Sequence, residues 1–142
     1  MTRACLATAA VALLSVAPAA AAPRPHSPAS VARAWSAALD RGDNEAAANL
    51  FAPNAVVVQG GLQLTLSTHK LAVLWNSRLP CTGRIVKLTV RGSVADATFV
   101  LGNRTTSKCD APGQKARAKL TVRNGKIVRW EQLPVPASPF VA

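Results

Sequence analysis

The feature that most constrains this chain is a stretch of strict two-residue alternation towards its C-terminal end. Ala116, Ala118, Leu120 and Val122 alternate with Lys115, Arg117, Lys119, Thr121 and Arg123. A period of two puts the apolar set on one face of a β-strand and the charges on the other. Asn124-Gly125 follows, the preferred pair for a type I′ turn, and Lys126 to Leu133 forms the return strand. A second hairpin precedes it. In Arg84–Arg91 the apolar set is Val86, Leu88 and Val90, against Lys87, Thr89 and Arg91. Gly92-Ser93 places glycine at the first central position, as a type II′ turn requires. The strand after it carries Ala95, Ala97, Phe99 and Leu101 on one face. Hairpins of this kind need something apolar laid over one side.

The first half of the chain supplies it. Ser27 reads as an N-cap with Pro28 at the first helical position, where a missing N–H costs nothing. The helix that follows gathers Val31, Trp35, Ala38 and Leu39 on one face and stops at Gly42. Asp43 caps a short helix, NEAAANLF, with Ala47, Leu50 and Phe51 as its stripe. Pro53 and Asn54 break it, and Ala55–Val58 is a short strand ending at Gly60-Gly61. A third helix is predicted from about Thr68 to Ser77, with Leu71, Leu74, Trp75 and Leu79 at helical spacing. Helices first and an antiparallel meander second define an α+β class, with helices on one face of a curved antiparallel sheet.

The N-terminus reads as a secretory signal over residues 1–21. Arg3 gives a positive start, Leu6–Val16 is an apolar run, and Ala19–Ala22 offers small residues for cleavage. The run is too short for the ~20 residues that span a bilayer. Residues 22–29 read as a flexible Pro-rich lead, 30–133 as the domain, and 134–142 as a Pro-rich tail. Export bears on the cysteines. Cys5 leaves with the signal, and Cys81 and Cys109 remain as an even pair in an oxidising compartment, which reads as a disulfide. The spacing does not suit a CxxC redox or zinc site, and no metal or cofactor is expected.

The chain has 17 Lys and Arg against 6 Asp and Glu, a net charge of +11. Losing Arg3 leaves about +10. Anionic partners follow: an envelope surface, a cell-wall polymer or nucleic acid. Lys115, Arg117, Lys119 and Arg123 share one strand face, with Lys126 and Arg129 near it. Single-stranded nucleic acid would want aromatic residues among those charges, and there are none. Nucleic acid is therefore disfavoured, and a solvated outer face is the default.

Two segments carry a family resemblance. AALDRGDNEAAANLFAPNAVVV (37–58) and LTVRNGKIVRWEQL (120–133) resemble the opening and closing elements of the nuclear transport factor 2-like superfamily, in particular its SnoaL-like branch. The resemblance implies a cone-shaped, barrel-like α+β fold, open at its wide end to an apolar pocket. Members include isomerases, cyclases, hydrolases and proteins with no catalysis, so fold alone cannot give function. Many relatives dimerise through the outer sheet face, and a homodimer is open to this chain too, although its charges there would repel.

Residue by residue, the resemblance leaves the isomerase-type roles empty. The position of the carboxylate base is Gln59, which cannot accept a proton. The position of the oxyanion-stabilising tyrosine is Trp35, in a chain with no tyrosine. The second oxyanion donor falls near Ala118. A hydrolase-type site would need acids sharing one water with an Arg. Asp43 is a cap, Asp40 and Glu45 are solvated, Asp110 adjoins the disulfide loop, and Asp96 and Glu131 fall opposite the apolar set. His69 is the remaining candidate base, with no evident partner acid. What is left is a pocket defined by Trp35, Gln59, Trp75, Trp130 and His69. The expectation is a small apolar ligand or an interaction module, with an enzyme of non-standard pocket as the alternative.

Overall fold

A computed structural model describes residues 26–136. The signal segment, residues 22–25 of the lead and the tail beyond 136 lie outside the described residues. Helix α1 (Pro28–Asp40) begins where Ser27 accepts a hydrogen bond from the Ser30 amide at 3.1 Å, with Pro28 at its first position. It buries Val31, Ala32, Trp35, Ala38 and Leu39. Gly42, at φ +72°, turns the chain into α2 (Asn44–Ala48), capped by Asp43 through the Ala46 amide at 2.9 Å.

That second helix is shorter than the sequence predicts. Phe51 already belongs to β1 (Phe51–Gln59), and Pro53 and Asn54 lie within this strand. Asn54 takes a left-handed φ of +59°, and the strand register shifts between Phe51 and Val56. Proline and a left-handed Asn are tolerated because a bulge absorbs them. Gly60 and Gly61 are a turn, not an end. Both have positive φ, as a type I′ turn demands, and they lead into β2 (Leu62–Leu66), an edge strand that was not anticipated.

Helix α3 (His69–Arg78) is capped by Thr68. Its buried positions are Ala72 and Asn76, while Leu71 and Trp75 are half-buried and Leu74 is 45% exposed. The helix has turned about its axis relative to the predicted stripe. The cause is a polar contact: Asn76 Oδ1 accepts from Trp35 Nε1 at 2.9 Å, and its Nδ2 donates to the Ala72 carbonyl. A buried Asn with both ends satisfied can hold the inward face.

Strands β3 (Thr82–Arg91), β4 (Val94–Gly102), β5 (Lys115–Arg123) and β6 (Lys126–Leu133) complete one sheet in the order β2-β1-β6-β5-β4-β3. Neighbours are antiparallel except β1 and β6, which run parallel, so the sheet is mixed. Both predicted turns form. Gly92 alone has positive φ in one, and Asn124 (+50°) and Gly125 (+72°) share it in the other. Two further bulges correct the predicted faces. Ile85 pairs with Phe99 and Lys87 with Thr98, leaving Val86 as the extra residue at 44% exposure. Ile85 and Leu88 pack against the core, and Val90 is 43% exposed. In β6, Thr121 pairs with Arg129 and Val122 with Ile127, so the bulge falls at Val128. Ile127 and Trp130 point into the core, and Val128 between them is only half-buried. Bulges of this kind strengthen local twist and bend the sheet into an open, unclosed curve around α1. The result is an α+β cone.

Cys81 and Cys109 are bonded, S–S 2.06 Å, tying the start of β3 to the β4–β5 loop. Arg104 in that loop is 5% exposed. Its guanidinium donates to the carbonyls of Asn76 (2.6 Å) and Leu79 (3.0 Å) and to Asn44 Oδ1. It thereby caps the C-terminus of α3 and fastens it to α2. Burial lowers its pKa. The carbonyl oxygens at the end of the helix compensate the charge in place of an acid.

Candidate functional site: the cone cavity and the outer groove

Inside the cone lies a cavity of about 270 Å³. It exists because β5 brings small residues, Ala116 and Ala118, opposite the large ones. Trp35 from α1, Phe99 and Leu101 from β4, and Trp130 from β6 form its apolar walls. Gln59 at the end of β1, Gln132 on the adjacent β6 and Asp110 beside the disulfide are exposed residues at its mouth.

The aromatic wall is a connected cluster. Ring centroids lie 5.9 Å apart for Trp35 and Trp130, 6.0 Å for Trp35 and Phe99, and 5.1 Å for Trp75 and Trp130. Trp75 packs behind this wall against Phe51 and Trp35 and does not line the cavity. His69 is also elsewhere. It lies on exposed surface with Nε2 2.8 Å from Glu45 Oε2, so it does have a partner acid, on the outside of the molecule. Of the five residues predicted for the pocket, the structure brings together Trp35, Gln59 and Trp130.

Polar groups inside the cavity divide into committed and free. Trp35 Nε1 is spent on Asn76, and Ser36 Oγ donates to the Gly83 carbonyl at 2.6 Å. Thr82 Oγ1 and Trp130 Nε1 are buried with no hydrogen-bond partner among the described residues. Both residues line the cavity and are 6% and 5% exposed. Orphaned groups at such depth are costly, and both belong to residues that line this one space. Trp130 can only donate, while Thr82 can donate or accept. Thr82 had no signal in the sequence beyond its type.

The opposite face of the sheet carries a larger groove of about 860 Å³. Lys115, Arg117 and Lys119 of the predicted basic face line it, joined by Lys87 and Arg91 from β3. Arg123 is not among its lining residues; it pairs in the ladder with Lys126 beside the Asn124-Gly125 turn. Asp96 is the groove's single acid, gripped by Arg117 through two bonds of 2.8 and 2.6 Å. That pairing lowers the Asp96 pKa below its ordinary 3.8, with smaller help from Lys119 and Lys87, and raises that of Arg117. Glu131, half-buried, meets Arg129 at 3.3 Å. The sequence placed Lys87 and Arg91 opposite an apolar set, but strand order is needed to join them to β5.

One cluster among the described residues has metal-ligand composition: Cys81, Cys109 and Asp110. Its two sulfurs are used by the disulfide and cannot ligate as thiolates.

No family model matches the chain, and no curated protein matches it by sequence. Solved structures do match. A protein of Sinorhizobium meliloti provisionally described as a polyketide cyclase aligns with TM-score 0.61 and 20% identity, covering 72% of this chain and 93% of its own. A Catenulispora acidiphila protein with a ketosteroid isomerase-like fold aligns with TM-score 0.59 and 18% identity, covering 73% and 84%. An NTF2-like protein of unknown function from Cytophaga hutchinsonii gives TM-score 0.63 at 9% identity, covering 76% and 89%. The fold is thus the nuclear transport factor 2-like cone, as the two sequence segments suggested. At these identities the likeness speaks for the fold alone.

Proposed function

We propose that this protein is an exported, non-catalytic binder of a compact, largely apolar molecule carrying one hydrogen-bond acceptor. The observation that carries this reading is the unfilled cavity lined by Thr82 and Trp130, each of which carries a buried polar atom without a partner among the described residues. Aromatic walls with a few placed polar atoms are the usual make-up of a small-molecule site. At about 270 Å³ the space falls at the lower end of such sites, so the ligand is small.

A binding role is favoured over catalysis by what occupies the key positions. Gln59, Trp35 and Ala118 offer no proton acceptor of carboxylate or imidazole type. Asp110 is exposed at the mouth, Asp96 is committed to Arg117, and His69 faces outward. Export is supported by the N-terminal apolar segment and by the disulfide. No described helix is long and apolar enough to cross a membrane.

Tryptophan emission tests the reading, since the cavity wall is itself the fluorophore. Titration with monocyclic ketones such as cyclohexanone and menthone should give a saturable change. Ala118→Leu, which fills the cavity, should abolish that change while preserving the far-ultraviolet circular dichroism. An unresponsive folded protein, or an equal response in Ala118→Leu, contradicts the proposal.

A further inference from the structure

The outer face presents a second, independent site. We infer that the groove across β3, β4 and β5 binds a flexible linear polyanion that carries phosphate groups and no bases. Five cations line it, Lys87, Arg91, Lys115, Arg117 and Lys119, against the one acid Asp96. Asp96 neutralises Arg117 through its paired bonds, leaving three lysines and Arg91 with no acid partner among the described residues. Cations at every second residue of a strand recur about 6.8 Å apart, and neighbouring strands lie ~4.8 Å away. Such a lattice suits anionic groups repeated along a chain better than one isolated anion.

The shape and the residue types select the partner. The space is recessed, about 860 Å³, with Val135 and Pro136 along one side. A recess admits a chain, whereas a bilayer surface would need cations that protrude together. Lysine ammonium groups act as point charges and suit phosphate oxygens, which accept from many directions. Arg91, with no acid held in an ion pair, adds a fork that can take two oxygens of one phosphate group. The hydroxyls of Thr89 and Thr98 add donors within the groove. Stacking aromatics, which would favour single-stranded nucleic acid, are absent from the lining among the described residues.

Long-chain inorganic polyphosphate is the probe, used with the full mature chain in a calorimetric or anisotropy titration at two salt concentrations. Binding should be present and should weaken with salt, as counterion release requires. Replacing Lys87, Arg91, Lys115 and Lys119 by Gln leaves the Arg117–Asp96 pair intact and should weaken binding by ~10-fold or more, with a shallower salt dependence. A control with the exposed Arg33, Arg41, Lys70 and Lys108 changed to Gln removes the same charge from elsewhere and should lose less than about 3-fold on the same electrostatic grounds. Near-ultraviolet circular dichroism from the tryptophan cluster checks that both variants are folded. The inference is overturned if polyphosphate does not bind, or if both variants weaken equally. It is also overturned if poly-glutamate, single-stranded DNA or anionic phosphatidylglycerol vesicles bind as tightly at matched charge.

Discussion

At the residue scale, the centre of the molecule turns on Asn76. It is fully buried, and it occupies the acceptor need of α3 and the donor of Trp35 together. Asn76→Ala strands the Trp35 indole N–H in the core, and the expected loss is about 2 kcal/mol, read from the urea midpoint at unchanged m. No local pattern points to this role, because an Asn between Trp75 and Ser77 looks like solvent-facing helix. Asp96 was easier to read: its place in the alternation put it outside the core, and its carboxylate meets Arg117 there. The folded-state pKa of Asp96 is lowered, so its contribution to stability is present above the unfolded value and lost as pH falls through the folded one. Asp96→Asn should therefore lower the thermal midpoint at pH 7, and the gap to the native protein should begin to narrow near pH ~4 and close as pH falls through the lower folded value. A gap that persisted unchanged to pH 2 would assign the effect to packing.

At the element scale, helices capped by Ser27, Asp43 and Thr68 and the two later hairpins were legible, because caps and turn residues act locally. The β1–β2 hairpin was not. Gly60-Gly61 was visible, but LQLTL lacks the β-branched run of a typical strand and leaves Leu62 78% exposed at the sheet edge. Nor could the bulges at Val86 and Val128 be seen, since an inserted residue changes no local propensity and shifts only the register with a distant partner. Near the first of these bulges the chain packs closely at Gly83. A Cβ there would come within 2.9 Å of the Phe99 Cβ. Gly83→Ala should cost roughly 1–3 kcal/mol by overpacking. A more stable Gly83→Ala variant in thermal melts would mean that the cavity wall yields easily.

At the scale of the whole molecule, the cone is fastened at one rim by the disulfide and by Arg104. Both sit in or beside the β4–β5 loop, and together they hold β3 and α3 in place around the cavity. Removing the disulfide with Cys81→Ser and Cys109→Ser should cost about 3–4 kcal/mol in the loop-entropy account, measurable as a lower urea midpoint. The cavity itself was only partly legible. Tryptophans on apolar faces pointed to it, but whether three large rings fill a cone or leave space is decided by Ala116 and Ala118 across the sheet. Helical spacing drew in Trp75 and its chemistry as a base drew in His69, but Trp75 packs behind the wall against Phe51 and His69 faces Glu45 on the surface. The orphaned Thr82 and Trp130 groups arise from packing between distant elements, which no local pattern records.

The alternation that opens the closing hairpin thus sets two surfaces back to back. Its alanines leave room for a ligand, and its cations line the outer groove. The inner claim is tested most directly by the three tryptophan indole protons in a ¹H–¹⁵N correlation spectrum during titration with menthone. The account predicts that the Trp130 resonance moves downfield to saturation as its free N–H gains an acceptor, while that of Trp35, already bonded to Asn76, stays nearly fixed. A Trp130 resonance unmoved by menthone and by smaller ketones, in a folded protein, would contradict it.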